Sequence, residues 1–230
     1  MNEYGTDIDI DADTKSYFAR VFQWMWLALV ISGWIARYVS QTPQILNLVY
    51  GNNIYFWIIW IAQLWLVRYL SSNITNLSLT GAGILFVLYS GLNGLLFSYI
   101  FIIFQLSSIV AVFGASAGIF LIMWIYGYTT NSDLTKLWSL FFMGLIWVII
   151  GSLINIFLKN QLFDYIITIL SVVIFVWLTA YDIQKLKNMN TKWDIWTDNE
   201  SKEAIVWALQ LYLDFINIFL NLLRLFGKRK

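Results

Sequence analysis

Long apolar runs separated by short polar links set the pattern of this chain. About 20 apolar residues on a helix cross the roughly 30 Å hydrocarbon core of a bilayer. By that measure the pattern predicts seven helices, at about 18–39, 53–70, 79–104, 109–128, 137–158, 165–183 and 204–226. The links carry the breaking signals. Thr42-Pro43, with the single proline of the chain, ends the first run. Ser71-Ser-Asn73 closes the second, and QLSS at 105–108 divides the nearly uncharged stretch 77–128 into two spans. Asn131, Ser132, Asp133 and Lys136 form the next turn, and Lys159, Asn160 and Asp164 the one after it. The longest and most charged link, KLKNMNTKWDIWTDNESKE, precedes the last helix.

Polar positions inside these runs are few and ordered. In the last one, AIVWALQLYLDFINIFLNLLRLF, the residues Gln210, Asp214, Asn217, Asn221 and Arg224 are spaced four, three, four and three apart. On a helix that spacing puts all five on one face. Such a stripe cannot face lipid; it must face other helices or a water-filled path. The sixth run carries Thr168, Ser171, Thr179 and Asp182 at steps of three, eight and three, again close to one face. Asp182 falls near the predicted end of its helix, and Asp214 near the middle of the last. In the fourth run Gly114 to Gly118 is a GxxxG pattern, expected to pack inside the bundle, with a dimer face as the alternative. Residues 1–17 are polar and acidic, and are expected to form a solvated, flexible tail outside a transmembrane domain 18–230. An EF-hand reading of Asp7, Asp9 and Asp11 fails, because Ala12 and Phe18 stand where Gly and Glu are needed.

Composition agrees with an all-α integral membrane protein. Only 12% of the 230 residues are charged, against about 25% in soluble domains, and the mean hydropathy is +0.71. The absence of Cys and His removes disulfides, thiolate chemistry, Ser-His-Asp triads and the usual zinc sites. The net charge of +1 says nothing about a nucleic-acid partner, but no basic patch with interleaved aromatics appears, and no such partner is expected. Aromatics, 19% of the chain, are expected mostly at lipid-facing and interfacial positions. Charge placement is in conflict over the last helix. With the N-terminus inside, Lys15, Arg20, Arg68, Lys136, Lys185, Lys187, Lys192 and Lys202 all lie inside. The tail, with Arg224, Lys228, Arg229 and Lys230, would lie outside, against the positive-inside rule. Seven spans is the expectation; a last helix that enters and returns is the alternative.

The segment ALQLYLDFINIFLNLLRLFG, 208–227, closely resembles the C-terminal signature of the Bax inhibitor-1 family, also called the transmembrane Bax inhibitor motif family. Tyr181-Asp-Ile-Gln184 resembles the end of its sixth helix, YSGLNGLLFS (89–98) its third-helix segment, and YGYTTNSDL (126–134) the segment after the fourth. The resemblance implies six helices packed around a central, polar seventh. In bacterial members the two matching acids form a pH-sensing pair in a protein that leaks calcium; by motif these are Asp182 and Asp214. It also implies a second-helix Arg that latches the pair. Arg68 is the only Arg of that helix and lies near the expected place, with snorkelling to the interface as the alternative. Gln63 stands where many members have a Glu, so an acid role there is lost. The link between the two acids looks longer than in typical bacterial relatives. The compact chain is most like the bacterial members, which implies a multi-pass protein of the bacterial cell membrane.

Physical argument bears on the same two acids. A carboxylate at membrane depth costs roughly 2.5–3.5 kcal/mol even on a lenient insertion scale. Two brought together cannot easily both ionise, so the pair would hold one proton and a short hydrogen bond. Losing it would add repulsion and bias the helices apart, as a two-state switch. Calcium, a hard cation, suits carboxylate and amide oxygens, so Asp182 and Asp214 are candidate ligands of a transported ion. Gln210, Asn217 and Asn221 are candidate pore-lining residues, although helix–helix hydrogen bonding competes for both Asn. The function expected is a pH-sensitive calcium leak channel or passive transporter, monomeric in the bilayer, with no cofactor and no catalysis. Two other classes stay open: a non-conducting regulator that binds other membrane proteins, and an intramembrane aspartyl protease. The protease also needs a Gly-x-Gly-Asp motif, where this chain has Leu211-Tyr-Leu-Asp214.

Overall fold

Helices make up nearly all of the computed structural model, which describes residues 6–190 and 198–230, with side chains for 15–189 and 201–230. In chain order they are α1 (Thr6–Ser40), α2 (Pro43–Tyr50), α3 (Asn53–Asn73), α4 (Leu79–Ile103), α5 (Leu106–Thr129), α6 (Trp138–Leu158), α7 (Gln161–Asn190) and α8 (Asp198–Phe226). A 3-10 turn, Leu134–Leu137, leads into α6. Seven of them are long and apolar enough to span a membrane: all except the eight-residue α2. The all-α membrane architecture expected from the pattern is what the structure has.

The differences lie at the ends of elements. α1 begins at Thr6, not near residue 18, so residues 6–17 are helical rather than a flexible tail. An acidic sequence at a helix N-terminus complements the helix dipole. α7 runs on to Asn190, seven residues past its expected end. The sequence LysLeuLysAsn looks like a link, but Leu186 is fully buried while Lys185 is exposed, so the apolar face continues. α8 is one unbroken helix of 29 residues. The alternative of a last helix that enters and returns does not occur.

The helices group into two compact units. One holds α1–α4 and α8 as far as Tyr212; the other holds α5–α7 and α8 from Leu213. In the first, α1 and α4 pack most closely. A Cβ on Gly94 would lie 2.8 Å from the Ser32 carbonyl oxygen, so only glycine permits this approach. Ser32 Oγ donates to the Ser90 carbonyl at 2.9 Å and lies 2.8 Å from the hydroxyl of Tyr212, itself fully buried. Lys202, buried at the start of α8, donates to the Thr75 carbonyl in the α3–α4 link. In the second unit, Tyr181 stacks on Trp138 and Trp177 at 4.7 and 5.6 Å between ring centres. Many other aromatics face outward as expected, among them Trp26, Trp34, Trp57 and Trp147.

α8 differs from the other spans in burial. Two-thirds (67%) of its most apolar window is buried, against 6–33% for the rest. The burial falls mainly on its apolar residues: of the five polar positions Asp214 is buried, Gln210, Asn217 and Asn221 are half-buried and Arg224 is exposed.

Candidate functional site

Asp182 and Asp214 come together in the second unit. α7 carries Asp182 inside the helix rather than at its end, and the residue is 1% exposed. α8 carries Asp214 near its midpoint, 5% exposed. The two carboxyls are close enough to interact electrostatically. Asp214 Oδ2 is buried with no hydrogen-bond partner among the described residues. A buried acceptor left open is costly.

The surroundings are apolar on one side and amide-rich on the other. Phe215, next to Asp214, meets Phe113 and Phe120 edge to face at 5.2 and 5.8 Å. Along the polar stripe, Asn217 Nδ2 donates to the Leu213 carbonyl and Asn221 Nδ2 to the Asn217 carbonyl, both at 2.8 Å. These bonds stay within α8. Each side-chain amide thus makes one hydrogen bond within its own helix. On α7, Thr168, Ser171 and Thr179 are buried on the side of Asp182, as the spacing predicts, and their hydroxyls donate to carbonyls four residues back. The stripe ends at Arg224, which pairs with Asp164 at the start of α7; Asn155 Nδ2 donates to the same carboxylate at 3.1 Å. The pair is partly exposed, so it contributes at most about 1 kcal/mol.

The remaining candidates lie in the first unit. Gln210 is half-buried on α8. Arg68 is exposed near the end of α3 and has no ion pair among the described residues. Gln63 is buried, and its Nε2 has no hydrogen-bond partner among the described residues. The acids Asp194, Asp198 and Glu200 of the charged link lie outside the described side chains. No group of three or more His, Cys, Asp or Glu gathers among the described residues.

Sequence reasoning missed what holds Asp182 in place. Gln184 Oε1 accepts from the Leu134 amide at 2.9 Å, and its Nε2 donates to the Ser132 carbonyl at 2.8 Å. Lys187 Nζ donates to the Tyr128 carbonyl at 2.8 Å and sits 5.0 Å from the Tyr128 ring centre. A Cβ on Gly127 would fall 2.3 Å from the Ala180 carbonyl oxygen, so α5 and α7 touch backbone to backbone there. The end of α7 is thus tied to the α5–α6 connection on either side of Asp182. A neutral amide two residues after an acid was the one signal of this in the sequence.

An all-α, seven-span membrane protein with a buried acid pair on its last two helices is the class these observations define. The chain matches the family model described as inhibitor of apoptosis-promoting Bax1 over residues 14–230. It is 43% identical to the inner membrane protein YbhL of Escherichia coli K12 over 220 residues, covering 95% of this chain and 94% of that protein. An uncharacterized protein of Borreliella burgdorferi is 42% identical over 216 residues, covering 94% and 93%. The uncharacterized protein RP147 of Rickettsia prowazekii is 36% identical over 222 residues, covering 96% and 92%. The chain belongs to the Bax inhibitor-1 family, and it is a multi-pass protein of the cell membrane.

Proposed function

We propose that this protein is a pH-sensitive calcium leak channel or passive calcium transporter, with Asp182 and Asp214 as its proton sensor. The observation that carries the reading is the proximity of two buried carboxyls on different helices. With one proton the pair binds α7 to α8. Without it, two negative charges in a low dielectric repel, and the helices are biased apart. A calcium ion takes six to eight oxygens, more than two carboxyls supply. The donor set therefore suits an ion in passage, met by Asp182 and Asp214 and handed along the amide oxygens of Gln210, Asn217 and Asn221. The protein acts as a monomer in the bilayer, with calcium as cargo and no cofactor.

The test is calcium entry into liposomes holding the purified protein and an internal dye, with external pH stepped from mildly acidic to mildly alkaline. A bias of ~1.4 kcal/mol shifts a two-state population about tenfold, so the wild-type leak is expected to change on that order across the range. Asp182→Asn and Asp214→Asn are each expected to flatten the dependence to less than about twofold. No leak at any pH sinks the channel reading and favours a regulator that binds other membrane proteins. Unchanged pH dependence in both variants removes the pair as sensor. Cleavage of a membrane peptide, lost in either variant, would instead make the pair catalytic.

A further inference from the structure

The second unit has a groove of about 480 Å3 on its outward side, within the range of about 300–1,000 Å3 typical of ligand pockets. Its floor is α5, at Ser107, Ala111, Ala115 and Ile119, four residues apart each time. Leu222 and Phe226 of α8 form a wall, and Lys228 stands at one end. Ala111, Ala115 and Phe226 are exposed, so the groove opens to the surroundings of the protein, on a helix long and apolar enough to span a membrane. From 107 to 119 the helix rises about 18 Å. One leaflet of the hydrocarbon core is about 15 Å deep. The groove, which begins at the start of α5, is therefore about as long as one leaflet is deep.

The end at the interface is cationic and held. After α8 the tail doubles back on the start of α5. The Lys228 amide donates to Ser108 Oγ, and the Gln105 amide to the Lys228 carbonyl, both at 2.9 Å. Gln105 Nε2 donates to the Arg229 carbonyl at 3.2 Å. The backbone of the tail is thus bound while the side chains of Lys228 and Arg229 stay exposed, with no ion pair among the described residues. A fixed pair of cations above an apolar trough of leaflet depth is complementary to one class of molecule.

We propose that this groove binds an anionic phospholipid, one acyl chain lying along α5 and the phosphate against Lys228 and Arg229. A second copy of the chain, docked through the exposed glycines of α5, is disfavoured because it would bring two identical cationic tails to one patch. The test compares binding of phosphatidylglycerol and phosphatidylcholine of the same acyl length to the purified full chain, by native mass spectrometry. Each cation near a membrane surface is worth about fivefold, so the wild type is expected to prefer phosphatidylglycerol on the order of twentyfold. Lys228→Gln and Arg229→Gln are each expected to lose about fivefold of that preference, with phosphatidylcholine binding unchanged. Ala115→Phe fills the trough and is expected to weaken both lipids; Ala111→Phe repeats the test if that variant fails to fold. Equal binding of the two lipids, a preference that survives both Gln substitutions, or lipid binding indifferent to the filled trough would overturn the proposal. So would a disulfide dimer of Ala115→Cys in membranes, since the chain has no other cysteine.

Discussion

Gln184 is the residue on which the geometry at Asp182 most depends. Its amide closes two bonds to the α5–α6 connection, and one of them, to the Leu134 amide, is buried. Gln184→Leu keeps the size but strands a buried donor, at a cost of about 1–3 kcal/mol. The expected result is a lower melting temperature in detergent together with an altered pH midpoint of the leak, read in the liposome assay. A purely structural role would lower the melting temperature and leave the midpoint in place. At this scale Asp214 was legible in the sequence, because a lone acid in an apolar helix has no other reading than a buried one. Asp182 was only half legible. Its burial depends on Leu186 extending the apolar face of α7 through a stretch rich in Lys, and no window of mean composition reveals that. Arg224 and Asp164 were seen separately, one at the end of a stripe and the other in a turn. Their pairing is a tertiary contact that spacing does not encode.

α2 and α5 show where element-scale patterns mislead in opposite directions. Thr42-Pro43 marked a break, but a proline at the first position of a helix also starts one, and Pro43–Tyr50 is helical. Tyr50 anchors it, its hydroxyl donating to the Leu96 carbonyl at 2.8 Å. Burial, outweighing its hydrogen bonds, raises the Tyr50 phenol above its ordinary value. In the unfolded chain it ionises first, so its contribution is present at neutral pH and is lost as pH rises through the folded value. Tyr50→Phe is expected to cost about 1 kcal/mol at neutral pH and to narrow its deficit against wild type in strongly alkaline solution, by melting in detergent. In α5 the GxxxG pattern suggested packing inside the bundle, yet Gly114 and Gly118 are exposed and a Cβ on either would touch nothing within 4 Å. The helix turns Val112, Ser116 and Phe120 inward instead. Gly114→Ala is therefore expected to stabilise, by up to about 1 kcal/mol of helix propensity; a lower melting temperature would mean that the glycine is packed after all.

For the whole molecule, the sidedness of the tail is the question that charge counting left in conflict and the helices now constrain. α8 is continuous from Asp198 to Phe226, which is about 43 Å of helix, enough to cross without a turn. Six further helices before it are long and apolar enough to cross, and seven crossings put the two ends on opposite sides. Most of the inside cations favour an inside N-terminus, which puts the basic tail outside. The structure lessens the conflict, because the tail cations are not a free cluster. Arg224 is paired with Asp164, and Lys230 Nζ donates to the Phe101 carbonyl at 2.7 Å. Lys228 and Arg229 are the two left exposed without an ion pair among the described residues, and a bound lipid phosphate would neutralise them. Single cysteines at Lys15 and Lys230 in this cysteine-free chain test the point. Against a membrane-impermeant thiol reagent in intact cells, the cysteine at 230 is expected to label and the one at 15 to label only after the membrane is opened. Labelling of both or of neither in intact cells would put the ends on one side, and would mean that α8 or another span does not cross as its length allows.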